Sequence, residues 1–148
     1  MRLSARVDYA LRAMAELAAA AAPRTVDQLA VAQRIPSKYL ENILGELRRG
    51  GLLRSQRGPD GGHRLARPAA EISIADVIRA LDGELANVRG NRPEHLAYIG
   101  AAAPLQEVWI ALRASERAIL EGVTLAHVVS GEMPESVAAL VANPAAWS

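Results

Sequence analysis

A helix, a pair of glycines and a short arginine-rich hairpin follow one another within residues 35–67, and this succession constrains the fold more than any other feature of the sequence. Apolar residues recur there at positions i, i+3, i+4 and i+7, the spacing of one buried helix face. They are Leu40, Ile43, Leu44 and Leu47. Gly50 and Gly51 then favour the left-handed conformation that ends a helix. The stretch predicts a helix with one buried face and one free face.

The free face of this helix combines short polar side chains with a cation at each end. It carries Lys38, Glu41, Asn42, Gly45 and Arg49. Asparagine can pair with adenine, glutamate can accept from cytosine, and lysine can reach guanine or phosphate, so this face suits a DNA major groove. Ser37, in the first turn, is expected either to cap the helix or to contact a phosphate. Tyr39 is expected at the edge of the buried face with its hydroxyl outward, where core packing is favoured over base stacking, and it is counted among the candidate DNA-contacting residues.

The residues after this helix predict a β-hairpin with an exposed, basic tip. Residues 52–56 and 63–67 have the length of short strands, and the segment Arg57-Gly58-Pro59-Asp60-Gly61-Gly62 permits a tight turn between them. Arginines at 49, 54, 57, 64 and 67 decorate it, and arginine suits a narrow minor groove or a phosphate. An isolated basic hairpin could equally serve solubility alone. Its place directly after a polar-faced helix favours a winged helix-turn-helix.

Charge is divided unevenly along the 148 residues. Residues 1–67 hold 12 Lys and Arg against 6 Asp and Glu, whereas residues 68–148 hold 5 against 10. A basic half joined to an acidic half predicts one end that binds a polyanion and another with a different task. The length fits one domain, or one domain with an appended oligomerisation element.

Several functional classes are excluded by what the sequence lacks. There is no cysteine, which rules out disulfides, thiolate zinc sites and thiolate-ligated iron–sulfur clusters. No apolar run reaches membrane-spanning length and the start lacks a signal-peptide layout, so the expected location is the cytoplasm with no membrane contact. No Ser/His/Asp order, phosphate-cradling glycine loop or paired carboxylates point to catalysis, so we do not expect an enzyme.

Further helices are predicted on both sides of this unit, and the fold class is therefore mainly α. Ser4 is expected to cap a first helix that runs to Ala22, and Thr25 opens a short second helix through a capping box. Ser73 caps another helix, which Gly83 closes. Arg2 is interpreted equally well as a phosphate contact or as a solvated charge.

The second half predicts a long dimerisation helix. It starts at Pro104 and carries Leu105, Val108, Trp109, Leu112 and Ile119, whose spacing suits a dimer seam of two or three turns. Thr124 caps a final short helix. We therefore divide the chain into a winged helix-turn-helix over 1–83, a linker over 84–103 that holds a helical turn around residues 95–99, dimerisation helices over 104–131, and a tail over 132–148 that is either loose or draped over a partner.

The same residues resemble those of a known family. Met1-Arg2-Leu3, Tyr9-Ala10, Tyr39-Leu40-Glu41 and above all residues 52–62, with their Arg57-Gly58-Pro59-x-Gly-Gly tip, are similar to the Rrf-type bacterial regulators, which include the IscR-like and NsrR-like proteins. The likeness covers residues 1–83 well and 105–129 weakly. It implies a homodimer that binds double-stranded DNA at a pseudo-palindromic operator.

The resemblance also implies roles for individual residues. Lys38, Glu41 and Asn42 would face bases in the major groove, while Arg57 and Gly58 would place the wing in the minor groove. Asn42 stands where IscR has a longer glutamine, so base preference should differ. Among the three histidines, each expected to be structural, His63 in the wing has the best claim on DNA.

Sensing is where the sequence departs from the family. Cluster-binding members place cysteines in the segment equivalent to residues 85–105, and this chain has none. A variant type takes an acid and a histidine from the first helix, where this chain has Asp8 and Arg12, and arginine is not a practical ligand. No cofactor is therefore expected. A small-molecule effector pocket is conceivable, lined by Arg89, Arg92, His95, Tyr98 and Trp109, although ordinary packing and solvation explain these residues better.

The function predicted from the sequence is a sequence-specific DNA-binding transcriptional regulator, a repressor that acts as a homodimer without an iron–sulfur cluster. The alternative is a winged-helix adaptor that docks another protein and binds DNA only non-specifically.

Overall fold

The computed structural model describes residues 1–148 as seven α-helices and one two-stranded antiparallel sheet. The helices are α1 (Ala5–Ala19), α2 (Val26–Gln33), α3 (Ser37–Arg49), α4 (Ile74–Asp82), α5 (Leu105–Gly122), α6 (Leu125–Ser130) and α7 (Glu135–Ala142), and the strands are β1 (Leu53–Gln56) and β2 (Gly62–Leu65). This is the mainly helical winged helix-turn-helix predicted from the sequence. No helix is both long and apolar enough to cross a bilayer.

Side-chain caps fix where the helices begin, as the sequence predicts. The Ser4 hydroxyl accepts from the amide of Val7, and Thr25 and Ser73 each form a complete capping box. In the box at Thr25, the amide of Gln28 donates to the Thr25 hydroxyl at 3.2 Å, and the Gln28 side chain accepts from the Thr25 amide at 2.9 Å. Each cap satisfies amide groups that have no partner inside the helix.

The end of α1 was predicted three residues too late. The helix stops at Ala19, and Ala20 is already extended. Pro23 disfavours helical backbone at Ala22, the residue before it, and the chain has already left the helix by Ala20. The extended segment delivers Arg24 to the hairpin, where its amide donates to the His63 carbonyl at 3.0 Å.

The main core lies where α1, α2, α3 and the hairpin meet. The predicted apolar face of α3 is buried throughout, and it packs with residues from the neighbouring helices, strands and loops. The cluster comprises Ala10, Ala13, Met14, Leu17, Leu29, Ala30, Ile35, Leu40, Ile43, Leu44, Leu47, Leu52, Leu53, Ile72, Val77 and Leu125. With one face of α3 locked in this way, its other face has to point outward.

Helix α6 returns to this core from the far end of α5. Leu125 is buried within the main cluster, its amide donates to the Ile72 carbonyl at 2.9 Å, and the amide of Ile74 donates to the Val123 carbonyl at 2.9 Å. Thus α6, which lies in the range 104–131 assigned to dimerisation, packs against α1 of its own chain.

The segment between α4 and α5 is anchored rather than open. Leu85, Pro93 and Leu96 are buried. Its helical turns lie at Pro93–His95 and Gly100–Ala102, which flank the predicted position at 95–99. Arg113 of α5 donates to the Glu94 carboxylate, and this hydrogen bond, before any other cause, lowers the pKa of Glu94 to about 2.

The tail contains a helix that was not predicted. Helix α7 is followed by a short 3-10 turn, and Trp147 Nε1 donates to the Val141 carbonyl at 2.7 Å. The tail therefore folds on itself. It leaves Leu140, Val141 and Trp147 exposed to solvent.

Candidate nucleic-acid interface

Helix α3 presents the polar face that the sequence predicts. Lys38, Glu41, Asn42 and Arg49 are exposed, and Gly45 is half-buried between them. None of these four side chains is held in an ion pair within the chain. They are therefore available for an external ligand.

The start of α3 is open. Pro36 precedes the helix and no side chain caps it. Ser37 is exposed and does not cap the helix, so the first of its two expected roles is wrong. Free amide groups at a helix start, together with the helix dipole, attract anions such as phosphate.

Tyr39 was expected to pack in the core, and this was wrong, because 66% of it is exposed. The α3 positions that face α1 and α2 are already filled by the leucine and isoleucine face, which leaves residue 39 on the rim. It lines a cleft of about 780 Å³ between α3 and the start of α1, together with Tyr9 and Asn42. In the same cleft Arg6 pairs with Glu46, which compensates an acidic charge on α3.

The hairpin projects a cluster of unpaired arginines. Arg54 lies opposite Arg64 in the strand register, and both are exposed, as is Arg57 in the turn. Like charges placed directly across a strand pair repel each other. A bound polyanion would relieve that repulsion.

Two contacts that were not predicted hold the hairpin against the helices. Arg48 Nη1, at the end of α3, donates to Ser55 Oγ of β1 at 3.0 Å. Arg24 and His63 exchange backbone hydrogen bonds of 3.0 and 2.6 Å. Arg24 therefore pairs with β2 through an isolated antiparallel bridge. These contacts depend on strand register and on the loop between α1 and α2, and neither leaves a periodic signal in the sequence.

His63 lies partly inside the protein rather than fully on the wing surface. Its side chain is half-buried, and its Nδ1 is buried without a hydrogen-bond partner. Desolvation, and secondly the positive charge of Arg48, lower the pKa of His63 below its ordinary value. A neutral imidazole is therefore favoured at this position.

Arg2 lies apart from the α3 face. It lines a second cleft, with residues of α4, α5 and the segment that joins them, and no residue of α3 or of the hairpin lines that cleft. The predicted DNA-contacting residues that share helix α3 are therefore Ser37, Lys38, Tyr39, Glu41, Asn42 and Arg49.

The predicted dimerisation residues fall on two sides of α5. Leu105, Val108, Leu112 and Ile119 are between 37% and 53% exposed and form one apolar stripe. Trp109 does not belong to it. Its ring is half-buried against the segment before α5, and its Nε1 donates to the Tyr98 hydroxyl at 3.0 Å.

The five residues considered for an effector pocket do not surround one cavity. Arg92 pairs with Glu84 at 3.6 Å and with Glu94 at 2.9 Å, and Tyr98 is occupied by Trp109. The cleft that Trp109 does line is formed by other residues.

The donor atoms of the chain do not fit an iron–sulfur cluster. Cysteine is absent, and no three histidine, aspartate or glutamate side chains are grouped as metal ligands. Arg12, where a variant type uses histidine, pairs with Asp8 at 3.3 Å and donates to the Gln33 carbonyl at 3.1 Å. It therefore connects α1 to the helix-turn-helix.

Comparison with known proteins agrees with this geometry. Residues 3–131 match the family Rrf2, described as an iron-dependent transcriptional regulator. A Mycobacterium tuberculosis protein, named as a candidate HTH-type transcriptional regulator, is 53% identical over 142 residues, which are 95% of this chain and 88% of that protein.

Solved structures of such regulators share the fold. The structure of CymR, the global cysteine regulator of Bacillus subtilis, has a TM-score of 0.76 and 28% identity, and the match covers 88% of this chain and 98% of that one. The structure of IscR from T. potens has a TM-score of 0.72 and 27% identity, and the match covers 94% of this chain and 96% of that one.

Proposed function

The chain belongs to the Rrf2 family of transcriptional regulators, and from this premise we propose that it is a cytoplasmic repressor that binds a pseudo-palindromic operator as a homodimer. Its family and relatives are regulators of transcription, not enzymes. The observation that carries the proposal is the exposed polar face of α3, with the arginine hairpin attached to the end of the same helix. Repression, rather than activation, rests on the resemblance to NsrR-like repressors.

Base contacts are assigned to the centre of the exposed α3 face. Lys38, Glu41 and Asn42 lie within little more than one helical turn, which is the length of helix that reaches base edges in a major groove. Phosphate contacts are assigned to Ser37, Tyr39 and Arg49 around them. The open start of α3 supports a phosphate at Ser37.

The hairpin is assigned to the neighbouring minor groove. Arg57 enters the groove, and Gly58, whose φ is +104°, gives the turn a shape that side chains rarely permit. His63 and Arg2 are assigned supporting contacts, His63 as a neutral hydrogen-bonding group and Arg2 as a phosphate partner.

Dimerisation is assigned to the exposed stripe of α5. Its four apolar residues are spaced by three, four and seven residues, and each is at least 37% exposed in the single chain. Association through this stripe would give the two-fold arrangement that a pseudo-palindromic operator requires.

The proposal is tested by fluorescence anisotropy with duplex DNA from upstream of the protein's own gene, over a series of salt concentrations. Sequence-dependent binding that weakens with salt is expected, because phosphate contacts release counterions. Binding that does not distinguish this DNA from a scrambled duplex, together with a stable protein partner, would favour the adaptor function instead.

Arg57→Ala is expected to weaken operator binding by about 1–3 kcal/mol, because the variant loses a guanidinium inside a groove. The matched control is Arg117→Ala, which removes the same charge from the exposed surface of α5. Anisotropy titrations of both variants with the same operator measure the difference. Equal affinities would remove Arg57 from the interface.

A further inference from the structure

A second cleft lies on the side of the molecule formed by α4, α5 and the residues on either side of them. Its volume is about 360 Å³, and it opens between the N-terminal residues 1–3, the end of α4, residues 84–88 and α5. About half of its wall is apolar, and this part includes Ile78, Leu85, Pro93, Trp109 and Leu112, the last of which also belongs to the exposed stripe of α5. The volume is within the range of sites that hold small organic molecules.

One wall of this cleft carries a buried carboxylate without a partner. Glu116 of α5 is only 9% exposed and is the one charged residue among the buried residues of the chain. Its Oε2 is inaccessible to solvent and has no hydrogen-bond partner. Burial of a charge without compensation is costly, and a cationic partner at the Glu116 carboxylate would offset that cost.

The other acidic groups of the cleft already have partners. Asp82 accepts a hydrogen bond from the Ser4 hydroxyl at 2.9 Å, and Glu84 pairs with Arg92. Met1 and Arg2 line the cleft, but neither the Met1 amino group nor the Arg2 guanidinium lies within ion-pair distance of Glu116. Glu116 is therefore the carboxylate left for a ligand.

We infer that this cleft binds a small organic cation, a protonated amine on a compact apolar body, whose ammonium group donates to the Glu116 carboxylate. The apolar wall takes the body of the ligand, and the buried carboxylate selects its charged end. A metal ion is a poorer match, since no cluster of three ligating side chains lies there. This inference does not depend on DNA binding, because no residue of α3 or of the hairpin lines the cleft, and Arg2 is the one proposed DNA-contacting residue that does.

The cleft contains its own reporter. Trp109 lines it, and the only other tryptophan, Trp147, is 76% exposed in the tail. In a Trp147→Phe background, Trp109 fluorescence is followed while phenethylamine is added to the full chain without DNA. Phenethyl alcohol, which has a similar shape but no charge, is the matched probe.

A saturable change with phenethylamine is expected, with affinity about tenfold or more above that of phenethyl alcohol, because a hydrogen bond to a charged group is worth more than a neutral one. Glu116→Gln keeps the shape of the side chain and removes its charge, and it is expected to abolish this preference. Glu121→Gln, a variant of a paired and exposed glutamate on the same helix, is expected to retain it.

Equal affinity for the amine and the alcohol would overturn the inference, as would a preference that survives in Glu116→Gln. It would also be overturned if the amine does not bind while Glu116→Gln weakens self-association, since Glu116 would then pair with a cation of a second copy. If Glu116→Gln does not fold, the inference is tested by comparing the affinities of phenethylamine and phenethyl alcohol for the protein that retains Glu116.

Discussion

At position 63 the chain places an imidazole where protonation is penalised. The pKa of His63 is lowered by burial first and by the charge of Arg48 second, and His63 pairs across the hairpin with Ser55, which accepts a hydrogen bond from Arg48. The unfolded chain therefore binds a proton at this residue more readily than the folded chain does. By linkage, stability is lost as pH falls from the ordinary histidine value through the folded pKa.

We expect His63→Gln to remove this part of the pH dependence. As pH falls from about 7.5 to about 5.5, the free energy of unfolding should decrease less in the variant than in the unaltered protein. Urea unfolding at both pH values measures it. The control is His95→Gln, at an exposed position, which should keep the original dependence. Parallel pH profiles for His63→Gln and the unaltered protein would contradict the argument.

Single residues were predictable where helical periodicity alone decides exposure. Lys38, Glu41 and Asn42 are exposed because the opposite face of their helix is apolar. Tyr39 and Trp109 sit at the borders of apolar faces, and there the side that a ring takes depends on neighbours distant in sequence, such as Tyr98. The Arg48 contact and the unpaired Glu116 oxygen are equally non-local.

At the level of elements, the hairpin depends on how closely it approaches the loop after α1. A Cβ atom at Gly62 would lie 2.5 Å from the Arg24 carbonyl oxygen, whereas one at Gly58 would meet nothing within 4 Å. Both glycines have positive φ, at +142° and +104°. A side chain at Gly58 would therefore cause backbone strain alone, whereas a side chain at Gly62 would cause strain and a collision with the Arg24 backbone.

Gly62→Ala is expected to destabilise the protein by about 2 kcal/mol more than Gly58→Ala, because it forces Arg24 away from β2 in addition to straining the backbone. The difference is measured by urea unfolding of the two variants. Hydrogen exchange at the Arg24 and His63 amides should show the loss of protection in Gly62→Ala alone. If both variants unfold at the same urea concentration, the bridge contributes nothing to stability.

Elements with a local signal were found from the sequence, and those without one were not. Ser4, Thr25, Ser73 and Thr124 mark helix starts through side chains that act within three residues. Helix α7 was missed because it is only eight residues long, has no side-chain cap and buries none of its residues, so no apolar face marks it in the sequence. The return of α6 to the core relies on backbone bonds between residues about fifty positions apart, which periodicity cannot reveal.

At the scale of the whole molecule, the apolar stripe of α5 stays exposed to solvent in the single chain. Four apolar residues there lie on a helix whose other side packs on its own chain. The basic half of the sequence forms the head with α3 and the hairpin. The acidic excess of residues 68–148 is spread over α4, α5 and the tail, and around α5 most of it is offset by ion pairs with arginines.

Val108→Asp is expected to convert the proposed dimer into a monomer, because it buries a carboxylate in an apolar seam. Light scattering after size-exclusion chromatography gives the mass in solution. Ala114→Asp is the control, since it places the same charge on α5 away from the stripe, and its mass should stay that of a dimer. A monomeric unaltered protein, or a dimeric Val108→Asp, would exclude the seam.

The link between Glu94 and Arg113 has a consequence for how the molecule responds to acid. With a pKa of about 2, Glu94 keeps its charge far below the pH at which ordinary histidines gain theirs, and its contribution to stability is lost only as pH falls from the unfolded value near 4.5 towards 2. Mild acidification is therefore expected to act on the junction between the hairpin and α3 before it acts on the joint between α5 and the preceding segment.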